Sequence, residues 1–488
     1  MHKCQRVIPF VILVLFLIQA HIAMASELGI PITVDPRVEL MSLIFRFAGN
    51  EEYNQGKIPS YLADADTFFE DFRNHGAIKF AERLRKDYGI SYDAVASLAL
   101  HISDPPGLEE RTPLDPLPGS LDQRWTVSEV RGFLREVREF AEESRFMDFF
   151  TDHHDLYTIT QNRMRQVLEN QEIVPWFDAY FGIKPKFGFF IELGMFNGGA
   201  SYGPHFSSQD NSDELHSILG VWKTDAEGLP VFANDVNNTV VHEFAHSFIN
   251  PLVDARVGTL ESSGIAMYSH VSDKMESLAY GNWKIMLYES LVRAVSIRWM
   301  DSLPENQIVP HYIKFQQRCG FYWMAGLNEL LIEFENTRDK YSTFEQFFPV
   351  IEEYFLSYAV AIEANIASVE TAWVAELEVK KLKAPHVINM LPANDSCDVD
   401  PNLIQIVFTF DRIMMDKNWA VMDTGKLVPT ITDGLGYNDD RTKFIMPVLL
   451  EPSTSYEFSL NSPNGGAFKD EEGNQLIEYI VRFRTSGK

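Results

Sequence analysis

The segment Thr239-Val-Val-His-Glu-Phe-Ala-His-Ser-Phe248 carries the most informative pattern in this chain of 488 residues. On an α-helix, His242 and His246 lie one turn apart and point the same way, so their imidazoles can bind one tetrahedral zinc ion. Glu243 is rotated by about 100° from His242, which suits a general base beside the metal rather than a ligand. The flanking residues are apolar or small. The pattern therefore predicts a buried helix over 238–250 that holds Zn²⁺.

The alternative is that His-Glu-x-x-His occurs by chance on a surface helix. In a chain with 13 histidines among 488 residues, chance produces such a pattern in roughly 2% of cases. A surface helix would also carry Lys or Glu among the flanking positions. Two imidazoles and a carboxylate buried without a partner would cost several kcal/mol. A bound Zn²⁺ ion is the simpler explanation.

A catalytic zinc ion needs a third protein ligand and leaves its fourth position to water. A histidine six residues after the second one is ruled out, because Leu252 holds that position. We predict Glu289, since it lies in a helical pattern that is apolar nearly all round and a carboxylate there needs a partner. An ion pair with Arg293 one turn later is the competing explanation, and both can hold together. The remaining candidates are Glu261, in a segment expected to be a loop, Asp254 and Glu276.

Two features near the motif are left open by the sequence. The residue that would stabilise a developing oxyanion could be any of five side chains: Tyr268, His270, Tyr280, Tyr288 and Tyr322. The glycine-rich segment 197–202 is either a turn or an edge that pairs with an extended peptide by strand addition.

Composition and charge exclude several classes of protein. With 45% hydrophobic and 23% charged residues, the chain is an ordinary globular mixture. Its 42 basic and 69 acidic residues give a net charge of −27, which repels phosphate backbones, so we expect no nucleic-acid partner. Three cysteines are too few for a disulfide framework. Whether Cys319 and Cys397 pair stays open.

The N-terminus has the pattern of a secretory signal peptide over 1–25. Lys3 and Arg6 precede an apolar run over 7–18, and Ala23-Met-Ala25 provides a cleavage site. An uncleaved anchor is the alternative, but a run of about twelve residues is shorter than the roughly 20 that span a bilayer. No later segment approaches that length. We therefore expect an exported protein that is periplasmic, extracellular or on the cell surface.

The periodicity of the chain predicts an α+β protein with two domains after the signal peptide, 26–383 and 384–488. The first is mainly helical over 36–185, has short strands within 187–231, at 187–193 and 218–222, and continues after the motif with a loop over 251–272 and further helices. Prolines then separate short strand-like runs, which predict an all-β sandwich. These runs lie at 404–410, 443–446, 456–460 and 479–484.

Three resemblances add to this interpretation. His242-Glu243-x-x-His246 followed by helical Glu289 resembles the gluzincin type of zinc metallopeptidase, although the spacing of 43 residues between His246 and Glu289 is longer than is common there. Residues from about 35 to 380 resemble an uncharacterised family of exported bacterial proteins, which implies no substrate. The tail resembles bacterial Ig-like domains of surface-layer and secreted proteins, which implies a spacer or binding module and association with the cell surface. The segments that carry this last resemblance are Leu391-Pro-Ala-Asn394, Ile406-Val-Phe-Thr-Phe-Asp411, Leu450-Glu-Pro-Ser-Thr-Ser-Tyr456 and Asp470-Glu-Glu-Gly-Asn-Gln-Leu476.

The expected function is therefore an exported zinc metallopeptidase that hydrolyses peptide or protein substrates. His242, His246 and Glu289 would hold zinc, which lowers the pKa of its water to about 7, and Glu243 would accept the proton. One alternative is a non-catalytic binding protein with a structural zinc site, closed by a fourth ligand such as His270. Another is a zinc hydrolase of non-peptide substrates.

Overall fold

The computed structural model describes residues 29–487, with gaps at 170, 184–186, 209–212, 235, 305 and 463–465. The predicted signal peptide over 1–25 lies outside the described residues. The chain divides into two compact units, 1–363 and 364–488. The helix at the division, Ile362–Lys383, ends where the sequence predicts a domain boundary.

Helices make up most of the first unit, and several begin at side chains that cap them. Asp35 accepts a hydrogen bond of 2.7 Å from the backbone N–H of Arg37, and Thr343 and Gln346 form a capping box. The described α-helices are α1 (Pro36–Phe47), α2 (Pro59–Phe68), α3 (Gly76–Tyr88), α4 (Asp93–Leu100), α5 (Val127–Glu143), α6 (Phe146–Asp152), α7 (His154–Leu168), α8 (Ile173–Phe181), α9 (Val236–Asp254), α10 (Val257–Ser269), α11 (Ser272–Ser277), α12 (Trp283–Ser302), α13 (Val309–Arg318), α14 (Met324–Asn336), α15 (Phe344–Val360) and α16 (Ile362–Lys383).

A five-stranded sheet lies behind the motif helix α9. Its strands are β1 (Ile32–Thr33), β2 (Phe187–Gly194), β3 (Ser201–Tyr202), β4 (His205–Phe206) and β5 (Asp213–Gly220). The order is β1-β2-β5-β3, with β4 also pairing β5; β1, β2 and β5 are parallel, and β3 and β4 run antiparallel to β5. The ring of Phe189 lies 4.9 Å from that of Phe244 on α9, so one face of the sheet packs on the motif helix.

Two sequence predictions in this unit are wrong. The strand predicted at 218–222 occupies Asp213–Gly220 instead, in register with β2. The loop predicted over 251–272 is largely helical, because α9 continues through Pro251 and α10 follows. Gly264 suggested a loop, but its small size serves packing: a β-carbon there would lie 2.4 Å from the ring of Trp283.

The second unit is all-β after α16. One sheet has five strands and the other four, and the strands are β6 (Val387–Leu391), β7 (Ser396–Val399), β8 (Gln405–Phe410), β9 (Val421–Asp423), β10 (Thr430–Ile431), β11 (Gly436–Tyr437), β12 (Lys443–Leu449), β13 (Ser455–Leu460) and β14 (Tyr479–Thr485). Phe408 and Phe444 from the first sheet share one apolar core with Phe458 and Phe483 from the second. The predicted α+β class with an all-β C-terminal region is confirmed.

Candidate metal centre

The motif helix α9 is buried on most sides, as its sequence predicts. Val240, Val241, Phe244 and Ala245 are completely buried, which fixes the rotation of the helix against the sheet. This rotation directs His242 and His246 towards α12. The side chains of both histidines keep 17% of their surface exposed, so they are accessible from one side.

Helix α12 supplies the predicted third side chain. Asn282 caps its start by accepting hydrogen bonds of 3.0 Å from the backbone N–H groups of Lys284 and Ile285. Glu289 follows on a face that is buried against the rest of the unit, together with Met286 and Val292. The helix therefore holds a carboxylate in an apolar environment, where it needs a cationic partner.

The three side chains converge closely enough to hold a metal ion. Glu289 Oε1 lies 3.4 Å from His246 Nε2, and Glu289 Oε2 lies 3.6 Å from His242 Nε2. The three ligand atoms are all within 4.8 Å of one another. Ligands bound at about 2.0–2.2 Å to a tetrahedral zinc ion lie roughly 3.3–3.6 Å apart.

The electrostatics of the cluster match two of the three protonation states that a metal ion needs. Burial lowers the pKa of His242 to about 3, while the neighbouring His242, His246 and Arg293 hold the pKa of Glu289 well below its usual range despite burial. Burial also opposes the charge on His246, but its bond to Glu289 outweighs this and raises its pKa to about 9. Metal binding would therefore release a proton from His246.

Glu243 lies beside the cluster and is not one of its members. It is 8% exposed, and burial raises its pKa to about 7. A carboxylate with a pKa close to neutral pH can both accept and donate a proton, which is what a general base and acid must do.

Neighbouring side chains orient the three candidate ligands. His246 Nδ1 lies 3.3 Å from Asn250 Oδ1, which turns its Nε2 towards Glu289. The predicted contact between Arg293 and Glu289 is present, with Arg293 Nη2 at 3.1 Å from Glu289 Oε2. The ion pair and the metal site that the sequence offered as alternatives thus share one carboxylate.

The alternative third ligands lie elsewhere. Glu261, Asp254 and Glu276 are exposed, and Asp254 binds Lys284 at 3.1 Å and also accepts a hydrogen bond from Tyr288. His270 bonds the carbonyl of Ala266 at 2.9 Å. Among the residues that the structure describes, His242, His246 and Glu289 form the one group suited to a metal ion.

Of the five candidates for oxyanion stabilisation, Tyr280 lies beside the cluster through Arg293, whose Nη2 donates to Tyr280 Oη at 2.7 Å. Tyr268 instead donates to the backbone carbonyl of Tyr280 at 3.1 Å, and Tyr322 accepts from Lys274 at 2.7 Å. Tyr288 is engaged with Asp254 on the exposed side of α12. The geometry thus favours Tyr280.

The edge of the sheet touches the motif helix at its functional turn. Gly203, between β3 and β4, is so close to α9 that a β-carbon on it would lie 2.2 Å from the backbone oxygen of Glu243. Only glycine allows this approach. Part of the predicted glycine-rich segment, Ser201–Tyr202, is edge strand β3, and the residues before it form a turn.

A polar wall next to the cluster is formed by Asn238, Tyr280, Arg293, Tyr312 and Gln316, of which sequence reasoning missed Asn238, Tyr312 and Gln316. Asn238 Nδ2 donates to Tyr312 Oη at 3.2 Å, and Arg293 Nη1 donates to Gln316 Oε1 at 3.0 Å. One signal was available, since Asn238 precedes His242 by four residues and so lies on the same side of α9.

Comparisons with known proteins give a family but no activity. Residues 30–353 match the family described as "Domain of unknown function (DUF4932)". No curated protein gives a significant match. Two solved structures match weakly: the S-layer protein rSbsC(31-844), at 10% identity, and surface layer protein SbsC, domains 1-6, at 11% identity. Each match has a TM-score of 0.14 and covers 51% of this chain and 33% of the other, which does not establish a shared fold.

Proposed function

Since the chain belongs to the DUF4932 family, which brings no known activity, we propose from the site itself that the protein is a zinc-dependent hydrolase of peptide bonds. The observation that carries the proposal is the convergence of His242, His246 and Glu289 at 3.4 and 3.6 Å. The burial of Glu289 supports it, because a buried carboxylate is costly unless cations pair with it.

The residues of the chain then take distinct roles. A bound Zn²⁺ ion would supply the Lewis acidity that activates water and polarises the substrate carbonyl. Glu243 accepts the proton from water at its carboxylate and passes it to the leaving amine. Arg293 holds Glu289 in place, and Tyr280 offers its hydroxyl to the developing oxyanion. Edge strand β3 aligns an extended peptide beside Glu243 by strand addition.

Metal content tests the ligand set. Purified wild-type protein should hold about one equivalent of zinc, measured by mass spectrometry of the metal. Glu289→Ala should lose most of it, because two histidines alone bind zinc weakly. Glu261→Ala is the matched control and should keep the metal. Wild-type protein that holds no transition metal when zinc is supplied would refute the ligand assignment.

Replacing the proposed base separates chemistry from metal binding. Glu243→Gln keeps the shape of the side chain and should keep zinc, while turnover of a peptide library falls by at least about 10²-fold because proton transfer is lost. Undiminished turnover in this variant would contradict the role of Glu243.

The two alternative functions predict different results. A closed structural site needs a fourth protein ligand, and His270, which the sequence offered, lies outside the metal-binding group with its Nε2 3.7 Å from Glu363. Inhibition by a hydroxamate favours an open site. Hydrolysis of small esters or amides without cleavage of any peptide would favour a hydrolase of other substrates.

Location and partners are also proposals. The N-terminal pattern supports export to the periplasm or the cell surface, and the all-β unit, with its Ig-like sequence segments, supports a role in surface association. Among the described helices, none combines the length and apolar character needed to cross a bilayer. Localisation of the tagged full-length chain in a fractionated bacterial cell would test export.

A further inference from the structure

The polar wall beside the cluster is unusually rich in hydrogen-bond donors that have no acceptor. Arg293 Nε and Gln316 Nε2 are both buried without a partner. The Tyr312 hydroxyl accepts from Asn238 at 3.2 Å, and the Tyr280 hydroxyl accepts from Arg293 at 2.7 Å. Because a phenol that accepts one hydrogen bond still has its own proton to donate, the Tyr312 hydroxyl can serve a further acceptor, while the Tyr280 hydroxyl also contacts Glu289.

The wall also carries a positive charge with a single shared counter-charge. Among the described residues, Glu289 is the one carboxylate paired with Arg293, at 3.1 Å. The same carboxylate faces both histidines of the cluster. If Glu289 binds a divalent cation, its negative charge no longer compensates the positive charge of Arg293, whose side chain is only 16% exposed. Buried cations in this situation bind anions strongly.

Donor groups and net charge therefore point to the same ligand chemistry. Arginine and tyrosine hydroxyls form charge-assisted hydrogen bonds to carboxylates. Tyr312 and Arg293 are only partly buried, so they are the groups of the wall that can meet a substrate carboxylate. Gln316 is fully buried behind them and holds Arg293 in position.

We propose that Arg293 and Tyr312 bind a carboxylate group of the substrate, so that the protein selects peptides with a negative charge next to the bond it cleaves. This inference rests on the proposed peptidase function. The carboxylate has two sources, the free C-terminus of a peptide or an acidic side chain. The net charge of −27 would by itself repel such peptides, so any preference for them must come from a local site.

Binding of matched peptides to the zinc-loaded Glu243→Gln protein tests the proposal without turnover. One pair is acetyl-Ala-Phe-Ala with a free carboxylate and the same peptide as an amide. The other pair carries Glu or Gln at its third position and ends in an amide. Isothermal titration should show about tenfold tighter binding of the acidic member of at least one pair. Equal affinities within both pairs would overturn the proposal.

Substitutions assign the preference to the wall. Tyr312→Phe, added to Glu243→Gln, should reduce the acid-to-amide preference several-fold and leave the affinity for the amide nearly unchanged. Arg293→Lys, a second variant, should reduce it further because a point charge cannot replace the planar fork. Tyr288→Phe is the control, since that hydroxyl bonds Asp254. A loss of affinity that is the same for acid and amide would contradict the proposal.

The two levels of inference fail in different ways. A protein without zinc and without peptidase activity removes the proposed function. A protein that holds zinc and cleaves acidic and amidated peptides equally well keeps the function and loses the carboxylate site. A preference for the free C-terminus indicates an exopeptidase, and a preference for internal Glu indicates selection of an acidic side chain.

Discussion

The two units differ in whether their buried polar side-chain atoms have hydrogen-bond partners. In the second unit, Asn461 is fully buried, and its amide donates to the carbonyls of Phe468 and Leu476 at 3.1 and 2.8 Å and accepts from Phe468 N at 2.9 Å. In the first, Asn238 and Gln316 each leave one amide atom buried without a partner. Among the described residues, every unpartnered buried polar side-chain atom lies in the first unit.

A buried polar group with all its hydrogen bonds formed and one that lacks a partner have different consequences for the protein. A satisfied polar group such as Asn461 holds loops together and contributes to stability. An unsatisfied one costs free energy that folding must supply from elsewhere, and such costs are tolerated where a ligand is bound. Three residues of the wall have such atoms, Asn238, Arg293 and Gln316, and others lie elsewhere in the first unit.

The largest expected effect concerns Glu39, a satisfied buried carboxyl in the first unit. Tyr61 Oη lies at 2.7 Å from one of its oxygens and Met195 N at 2.7 Å from the other, and burial raises its pKa to about 8. Because the folded pKa exceeds the unfolded value, this contribution to stability is complete below about pH 4.5 and is lost as pH rises through 8, by up to about 5 kcal/mol.

Hydrogen exchange of the full chain between pH 5 and 8, corrected for intrinsic rates, measures this loss in the first unit. Glu39→Gln, which cannot ionise, should flatten the dependence there and change nothing in the second unit. A pH profile that is identical in wild type and variant would show that Glu39 is already ionised.

Removal of zinc should have the next largest effect on stability, and this effect should be confined to the first unit. At a zinc concentration of about a thousand times Kd, binding stabilises the folded state by about 4 kcal/mol. A chelator should therefore lower the unfolding temperature of the first unit and leave the second unchanged, as followed by calorimetry. Glu289→Ala should show no response to chelator, and a response equal to that of wild type would contradict the site.

The same substitution at two asparagines tests the comparison directly. Asn461→Ala removes three hydrogen bonds and leaves their backbone partners buried, so we expect a loss of about 3 kcal/mol in the stability of the second unit. Asn238→Ala removes one bond, to Tyr312, and should cost no more than about 1 kcal/mol. Denaturant unfolding followed by hydrogen exchange measures both. Equal costs would mean that Asn238 is structural.

An effect on stability between those of the two asparagines is expected at the glycine of the edge strand. Gly203→Ala places a β-carbon 2.2 Å from Glu243 O, which should cost about 2 kcal/mol and reduce peptide turnover by at least tenfold, because the strand must move away from the base. Gly258→Ala is the control, since nothing lies within 4 Å of its β-carbon position and alanine favours a helix. Its unfolding temperature should stay the same or rise.

The periodicity of the sequence was sufficient to predict features that lie within a single helix or strand. His242 and His246 had to share a face of α9, and Glu289 and Arg293 had to share a face of α12. In the second unit, alternation predicted β8 to within one residue of Gln405–Phe410, because the buried Ile406, Phe408 and Phe410 alternate with partly exposed residues.

Contacts between elements could not be predicted in the same way. Gly264 lies in a segment whose composition favoured a loop, but the ring of Trp283, nineteen residues later in the chain, leaves no room for a β-carbon there. Asn238 and Tyr312 are 74 residues apart, and neither belongs to a motif. Their contact exists only because α9 and α13 pack on the same helix, α12. This packing between helices could not be predicted from the sequence.

The contact of Gly203 with Glu243 also bears on how a bound peptide would be aligned. No side chain separates the edge strand from the backbone that carries the proposed base, so a displacement of one is transmitted to the other. The residue spacing of a peptide lying along Ser201–Phe206 is thereby set relative to Glu243 without any intervening loop. A shift of a single residue in such a peptide would move its bonds by about 3.3 Å past the carboxylate. The register of the bound strand would therefore decide which bond is cleaved.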